Sequence, residues 1–158
     1  MTRKRKDKLR HFNIRVYGII INDKNEILLS DEFVLDRYMT KFPGGGLHFG
    51  EGPEDCIKRE AMEEFSQEVE ILEHFYTTGF YQKAEFFRDH QLISIYYRIR
   101  FVESPRFKIS DVPFDFKEKV NGSQSFRWVS LRNLNPDELT FPVDRKVAGM
   151  IKEKFIQE

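Results

Sequence analysis

Residues 43–67 read PGGGLHFGEGPEDCIKREAMEEFSQ, a glycine-rich loop followed by a helical pattern. Three consecutive glycines give the backbone a freedom that only a functional or very tight loop needs. Pro53 suits the first position of a helix, and we expect the helix to end near Ser66. Apolar residues at four-residue spacing predict one buried helix face, formed by Ile57, Ala61 and Phe65.

The same helix carries a group of glutamates on one face. At 100° per residue, Glu63 and Glu64 lie about 60° and about 40° to opposite sides of Glu60. Such a cluster repels itself, weakens the helix and raises the pKa of at least one member, so a purely structural helix has little reason to keep it. A divalent cation removes the repulsion, and hard oxygen ligands without His or Cys select Mg²⁺ or Mn²⁺ over zinc. The cluster therefore predicts a divalent-cation site and phosphate chemistry.

The glycines and an arginine add to this predicted site. Backbone groups of Gly44, Gly45 and Gly46 can approach a ligand closely because these residues lack side chains. Arg59 can hold a neighbouring glutamate in one rotamer by a bidentate contact. We therefore expect the glycines to contact the substrate and Arg59 to orient a carboxylate.

The spacing of these residues resembles the signature of the Nudix hydrolases, G-x5-E-x7-R-E-U-x-E-E-x-G-U, where U is a bulky aliphatic residue. The matching residues are Gly45, Glu51, Arg59, Glu60, Glu63 and Glu64, and the resemblance covers roughly residues 12–157. Ala61, Ser66 and Gln67 depart from the signature. A glycine at position 66 would end the helix in the left-handed conformation, which serine adopts at a cost of about 1 kcal/mol.

The resemblance implies an α/β fold, a Nudix-type α/β/α sandwich around a mixed β-sheet. It also implies Mg²⁺-dependent hydrolysis, with Mn²⁺ as a possible substitute, of the pyrophosphate linkage in a nucleoside diphosphate derivative. In the family, Glu60 and Glu64 would be the primary metal ligands, Glu63 a ligand or its support, and Gly45 the donor of a carbonyl. Glu60, Glu63, Glu64 and Arg59 would form the catalytic set. The small nucleotide substrate stays open among nucleoside triphosphates, dinucleoside polyphosphates, ADP-ribose and nucleotide sugars.

Three residues outside the motif are further candidates. Arg15 and Arg37 precede the motif in regions that face the substrate in family members, and the fork of donors on arginine suits a pyrophosphate. Glu118 falls in an irregular stretch where several family members place an extra catalytic or metal-binding glutamate. We expect Arg15 and Arg37 to bind substrate and Glu118 to be a candidate general base.

Strand signals flank the motif on both sides. Residues 12–21 and 26–30 are rich in β-branched and apolar residues and enclose the turn Asn22-Asp23-Lys24-Asn25, which predicts a hairpin. Residues 69–82 and 91–102 predict a second antiparallel pair. Residues 103–124 lack a regular pattern, and residues 143–157 predict a terminal helix.

Length and charge limit the classes of protein that remain. The chain has 158 residues, with 26 basic and 26 acidic side chains. This size favours one domain, which we place at residues 12–158 after a basic tail at residues 1–11. The balanced charge provides no global field for nucleic acid or membrane, so neither is an expected partner. The single cysteine, Cys56, excludes an internal disulfide, no segment predicts a signal peptide or membrane span, and we expect a cytoplasmic protein that could form a homodimer.

Two other functions compete with hydrolysis. A catalytically silent Nudix-like module could bind a nucleotide as a sensor, although such a module has no need for the complete glutamate cluster. The basic tail could instead direct the protein to RNA, in which case deletion of residues 1–10 should abolish activity. Cys56 lies one turn before Glu60, and we interpret it as a buried structural thiol.

Overall fold

The computed structural model describes residues 9–156. Most of the predicted basic tail, residues 1–8, therefore lies outside the described residues, and the first strand already begins at His11. The elements in chain order are β1 (His11–Ile20), β2 (Glu26–Val34), β3 (Arg37–Lys41), β4 (Gly44–Gly46), α1 (Pro53–Phe65), β5 (Val69–Thr77), β6 (His90–Phe101), β7 (Ser123–Ser130), a 3-10 turn (Pro136–Glu138) and α2 (Pro142–Phe155).

The strands form two sheets rather than one. The four-stranded sheet has the order β4-β1-β6-β5 and is mixed, because β1 and β6 run parallel while the other pairs are antiparallel. The three-stranded sheet has the order β3-β2-β7 and is antiparallel throughout. The predicted antiparallel pairing of residues 69–82 with 91–102 is confirmed as β5 and β6, although β5 ends at Thr77.

The predicted hairpin of β1 and β2 is wrong. Only an isolated bridge joins them, between Ile21 and Ile27, with the amide of Asn22 donating to the carbonyl of Glu26 at 2.9 Å. Both edges of β1 are occupied, by β6 on one side and by β4 on the other, so that no edge is left for β2. The turn itself is correctly predicted, but it carries the chain from one sheet into the other.

The two helices cover opposite faces of β1. Val16 and Ile20 pack in one core cluster with Ile57, Ala61 and Phe65 of α1, the helix face predicted from the sequence. Tyr17 and Ile19 pack in the other cluster with Val143, Val147 and Ile151 of α2. Because successive residues of a strand point to opposite sides, this division places a helix on each side of the four-stranded sheet and gives the expected α/β/α layers.

Long connections complete the fold. Residues 78–89 link β5 to β6, and Lys83 in this connection forms one bridge, to Gln91. The predicted irregular stretch 103–124 is confirmed up to residue 122, since β7 already begins at Ser123. The terminal helix is confirmed as α2. Within residues 9–156 no helix is long and apolar enough to cross a bilayer.

Candidate active site

The glycine loop, Gly44–Gly46, forms β4 and pairs with the middle of β1. A β-carbon on Gly44 would collide with the carbonyl oxygen of Val16, and one on Gly45 would collide with the carboxylate of Glu60. The Glu60 side chain therefore lies directly against the backbone of the loop. This close approach explains why the sequence has glycine at both positions.

Arg59 connects the loop to α1. Its Nε and Nη2 donate to the two carboxylate oxygens of Glu51 at 3.0 and 2.7 Å, and Nη2 also donates to the carbonyl of Gly46 at 2.9 Å. Its Nη1 donates to Glu60 Oε1 at 3.0 Å and to Glu63 at 3.3 Å. The hydrogen bonds from Arg59 lower the pKa of Glu51 to about 2. Arg59 thus fixes Glu60 in place, as expected of an orienting residue.

The three motif glutamates differ in their surroundings. The side chain of Glu63 is 57% exposed, whereas that of Glu60 is 14% exposed. Glu64 turns inward, and its buried Oε2 has no hydrogen-bond partner among residues 9–156. Burial raises the pKa of Glu64 to about 7, with Glu32 and Glu60 adding to the rise and Lys41 opposing it. Glu60 and Glu64 are therefore the inward pair, and Glu63 lies at the edge.

These residues can be compared with the needs of a divalent cation. Within the described part of the chain, no three carboxylate, imidazole or thiol groups already converge to hold a metal ion. Mg²⁺ does not need such a cage, because it typically takes one or two carboxylates and completes its shell with water and substrate phosphates. The unpartnered buried oxygen of Glu64 next to Glu60 fits such a shared site.

A cavity of about 220 Å³ is lined in part by Arg15 and Lys41, which interact electrostatically with Glu60 and Glu64, respectively. It is bounded by strands of both sheets, by residues 84–87 of the β5–β6 connection and by the start of α2. Its aromatic lining consists of Tyr17, Phe86, Phe87, Tyr96 and Phe141. Its polar lining consists of Asn13, Arg15, Glu32, Lys41, Glu85, Ser94 and Asp144. An apolar cleft with a few polar groups is the usual form of a small-molecule site.

Asp144 is the most deeply buried charged residue of this cavity, with 1% of its surface exposed. The Tyr96 hydroxyl donates a hydrogen bond to Asp144 Oδ1, while Oδ2 has no partner among the described residues. Burial raises the pKa of Asp144 to about 6. The site therefore contains a buried acid with one oxygen that lacks a side-chain partner among the described residues.

Glu32 and Lys41 form a second polar pair in the cavity wall. Lys41 is 5% exposed, and its Nζ lies 3.1 Å from Glu32 Oε2 and donates to the carbonyl of Gly44 at 3.3 Å. Burial alone would lower the pKa of Lys41, but the charges of Glu32, Tyr17 and Glu64 together outweigh it and the pKa is raised. Lys41 thus remains charged and joins the glycine loop to the cavity.

The other predicted residues lie at different depths. Arg15 lines the cavity and donates from Nε to the Tyr17 hydroxyl at 2.8 Å. Arg37 lies at the rim, where Nη1 is 3.6 Å from Glu85 Oε2 and the guanidinium is 5.2 Å from the centre of the Phe86 ring. Glu118 is exposed on the connection to β7, and its backbone carbonyl accepts a hydrogen bond from the Ser123 hydroxyl at 2.7 Å.

Cys56 is buried behind the motif. Its Sγ lies 3.5 Å from the Gly46 carbonyl and 3.6 Å from Arg59 Nη2. Burial raises the pKa of its thiol to about 12, which keeps it protonated at neutral pH. These surroundings support the interpretation of Cys56 as a structural thiol.

Sequence reasoning missed Glu32, Lys41 and Asp144. Lys41 stands in a strand that reads as ordinary, and Asp144 follows Pro142 in the first helical turn, where an acidic residue needs no function. Glu32 belongs to an alternating strand segment beyond the predicted one. Local patterns offered no signal for these residues, because their role depends on a cavity assembled from distant parts of the chain.

Known proteins are similar to this chain over most of its length. The NUDIX domain family matches residues 11–148. Over 140 residues the chain is 30% identical to the 8-oxo-dGTP diphosphatase of Escherichia coli (strain K12), covering 85% of this chain and 92% of that protein. Such coverage extends well beyond the motif itself and includes both sheets.

Solved structures support the fold. A MutT NUDIX hydrolase from Burkholderia pseudomallei has a TM-score of 0.66 at 17% identity, covering 90% of this chain and 98% of that one. A NUDIX hydrolase from Nitrosomonas europaea has a TM-score of 0.66 at 15% identity, covering 93% and 97%. With the family match and the diphosphatase relative, the chain belongs to the Nudix family and is a pyrophosphohydrolase that cleaves phosphoanhydride bonds in nucleotide derivatives.

Proposed function

We propose that this enzyme hydrolyses a nucleoside diphosphate derivative in a reaction that depends on Mg²⁺, with Mn²⁺ as a possible substitute. Glu60 and Glu64 would hold the cation, together with the backbone carbonyl of Gly45. The observation that carries the proposal is the buried Oε2 of Glu64, which has no hydrogen-bond partner among residues 9–156. A buried carboxylate oxygen without a donor is costly unless a ligand satisfies it.

The bound cation would supply charge neutralisation for phosphate oxygens and an activated water. The protein contributes positioning, which phosphoryl transfer needs most. Arg59 holds Glu60 against the glycine loop and also carries Glu63, so we assign Glu63 a supporting role at the edge of the site. The backbone of Gly44 and Gly46 flanks Gly45, which lies against Glu60, and would contact the phosphates of the substrate.

The cavity supplies a place for the nucleoside end of the substrate. Its volume of about 220 Å³ suits a planar base, and its aromatic lining offers surfaces for stacking. Asp144 and Ser94 provide polar partners inside it. Arg15, in the same wall as the glycine loop, would bind phosphate oxygens, and Arg37 would guide the anionic substrate from the rim.

The substrate class proposed is a nucleoside triphosphate, ADP-ribose or a nucleotide sugar. The relative from Escherichia coli is named for 8-oxo-dGTP, so this nucleotide belongs among the compounds tested. On the sequence resemblance alone Glu118 is kept as a candidate general base, although its exposed side chain favours a solvated role. A small nucleotide is the only partner that the proposal requires, and a homodimer is compatible with it.

A substrate panel tests the proposal. The purified chain is incubated with each class of substrate in Mg²⁺, in Mn²⁺ and in a chelator, and phosphate, pyrophosphate and nucleoside monophosphate are quantified. We expect turnover of at least one substrate with Mg²⁺ and none with the chelator. Nucleotide binding without turnover would contradict the proposal and favour the sensor alternative, and full activity in the chelator would contradict the cation site.

A further inference from the structure

Glu32 occupies the wall between the glycine loop and the rest of the cavity. It lies on β2, lines the cavity and has a side chain that is 14% exposed. Its partner Lys41 donates to the carbonyl of Gly44 in the glycine loop. The sugar of a nucleotide joins its phosphates to its base. If the phosphates lie at the motif and the base lies in the cavity, the sugar must therefore lie beside this wall.

The hydrogen bonds around Glu32 leave one of its oxygens free. Oε2 accepts from the Ser30 hydroxyl at 2.9 Å and from the Gln124 amide at 3.4 Å, and Lys41 Nζ lies 3.1 Å from the same oxygen. Oε1 accepts no hydrogen bond from the described residues. The carboxylate is thus held firmly through one oxygen, and the other is available inside a ligand cavity.

The chemistry of that free oxygen restricts what it can contact. An ionised carboxylate only accepts hydrogen bonds, so phosphate oxygens, which also only accept and carry like charge, are excluded as its partners. The donors that a nucleotide presents between phosphate and base are the hydroxyl groups of its sugar. Carboxylates bind a ribose 2′-hydroxyl in this way in dinucleotide-binding folds.

We propose that Glu32 binds the 2′-hydroxyl of the substrate's sugar through Oε1 and makes the enzyme selective for ribonucleotides over 2′-deoxyribonucleotides. Lys41 is a positioning residue in this arrangement, since it fixes Glu32 Oε2 and balances its charge. The inference rests on the proposed function, which places the phosphates of the substrate at the motif. It deepens that function by naming the sugar that the cavity accepts.

Matched pairs of ribose and 2′-deoxyribose substrates test the inference. For each nucleotide that the panel shows to be hydrolysed, kcat and KM are measured on both forms with the wild-type chain and with Glu32→Gln. We expect wild type to favour the ribose form in kcat/KM by about 10- to 100-fold, the discrimination that one hydrogen bond to a charged group supplies. In Glu32→Gln this ratio should fall below about threefold, mainly because kcat/KM for the ribose form decreases.

Glu26→Gln is the control, since Glu26 stands at the start of the same strand, bonded to Asn22 and away from the cavity. It should keep the wild-type ratio. Equal kcat/KM for both sugars in the wild type would overturn the inference, and this measurement does not depend on the variant folding correctly. The proposed function would still stand in that case. An equal loss on both sugars in Glu32→Gln would also overturn it, by assigning Glu32 to the reaction rather than to the sugar.

If no substrate of the panel is hydrolysed, the proposed function is wrong, but sugar selectivity can still be tested as binding. Thermal melting with ADP and with 2′-deoxy-ADP then measures selectivity as binding. A larger rise in melting temperature with ADP, lost in Glu32→Gln and kept in Glu26→Gln, would support the inference. The same rise with both nucleotides, or none with either, would overturn it.

Discussion

The motif region, from the glycine loop through α1, and the cavity wall are built in different ways. In the motif region the key contacts join near neighbours: Arg59 bonds to Glu51, Glu60 and Glu63, and the longest of its bonds along the chain spans 13 residues, to Gly46. Around the cavity, Tyr96 and Asp144 are 48 residues apart, and Gln124 and Ser30, which both bond to Glu32, are 94 apart. The contacts of the motif are thus encoded locally, whereas those of the cavity join distant parts of the chain.

The two regions also treat buried charge differently. The guanidinium of Arg59 satisfies Glu51, Glu60 and Glu63 within the motif, while the inward Glu64 keeps an unpartnered oxygen. In the cavity, Lys41 lies beside Glu32, while Asp144 accepts a hydrogen bond from the neutral Tyr96 hydroxyl and is also influenced by the charges of Lys41 and Arg15. Each region therefore combines a paired carboxylate with one buried carboxylate oxygen that has no hydrogen-bond partner among residues 9–156.

Glu64→Gln should have the largest effect on the motif region. We expect kcat to fall by roughly 10³-fold or more, because a cation ligand supplies several kcal/mol of transition-state stabilisation. In thermal melts, Mg²⁺ at a hundred times its dissociation constant should stabilise wild type by roughly 2.7 kcal/mol, and the variant should lose most of this gain. Glu63→Gln, on the exposed edge of the same helix, is the matched control and should lose much less. A full response of Glu64→Gln to Mg²⁺ would show that Glu64 is structural.

Asp144→Asn should change stability in a way that depends on pH. The pKa of Asp144 is about 6 in the folded protein, above its unfolded value near 4, so the folded state is favoured at low pH and loses that advantage as pH rises to 6. Denaturation with urea should therefore show the variant to be more stable than wild type by about 3 kcal/mol at pH 8, with the difference shrinking toward pH 4. Asp137→Asn, at an exposed position, is the control for loss of charge. An equal difference at both pH values would mean that ionisation of Asp144 does not cost stability.

Ser66→Gly tests the end of α1, where the local sequence departs from the Nudix signature. Ser66 has φ 53° and ψ 34°, and its amide donates to the Met62 carbonyl at 3.0 Å. Glycine removes the side-chain strain of this left-handed conformation, so urea denaturation should show a gain of roughly 0.5–1 kcal/mol with little change in activity. Lys58→Gly, exposed in the same helix, should instead cost about 1 kcal/mol. Destabilisation by Ser66→Gly would contradict the left-handed cap.

Glu118→Gln should have the smallest effect of these substitutions, measured as a change in turnover. The side chain is exposed, so we expect it to take no part in proton transfer and turnover to stay within about twofold of wild type. A positioned acid or base would contribute about 10²-fold or more. Turnover should be measured over a range of pH with the substrate that the panel identifies. A loss near 10²-fold would instead restore Glu118 as the general base and place its loop in the active site.

The sequence by itself determined the motif, the helix and its ends. The pattern predicted that Arg59 holds a glutamate, and Ser66 ends α1 in the left-handed conformation that the glycine of the signature would adopt. These features depend on helical periodicity and on short chain separations, which a single segment contains in full. The α/β/α layers followed from the resemblance to the family, together with the observed division of apolar residues between the faces of β1.

Only the tertiary structure decided how the strands pair and which residues line the cavity. β1 and β2 have a turn between them, yet each pairs elsewhere, because strand pairing depends on which edges remain free in the complete sheet. The sequence gives no sign that Glu32, Lys41 and Asp144 differ from ordinary strand and helix residues. They lie on β2, β3 and α2, and the fold brings these elements to one cavity. Burial then changes their pKa and their need for partners, and burial is a property of the assembled fold rather than of any local stretch of sequence.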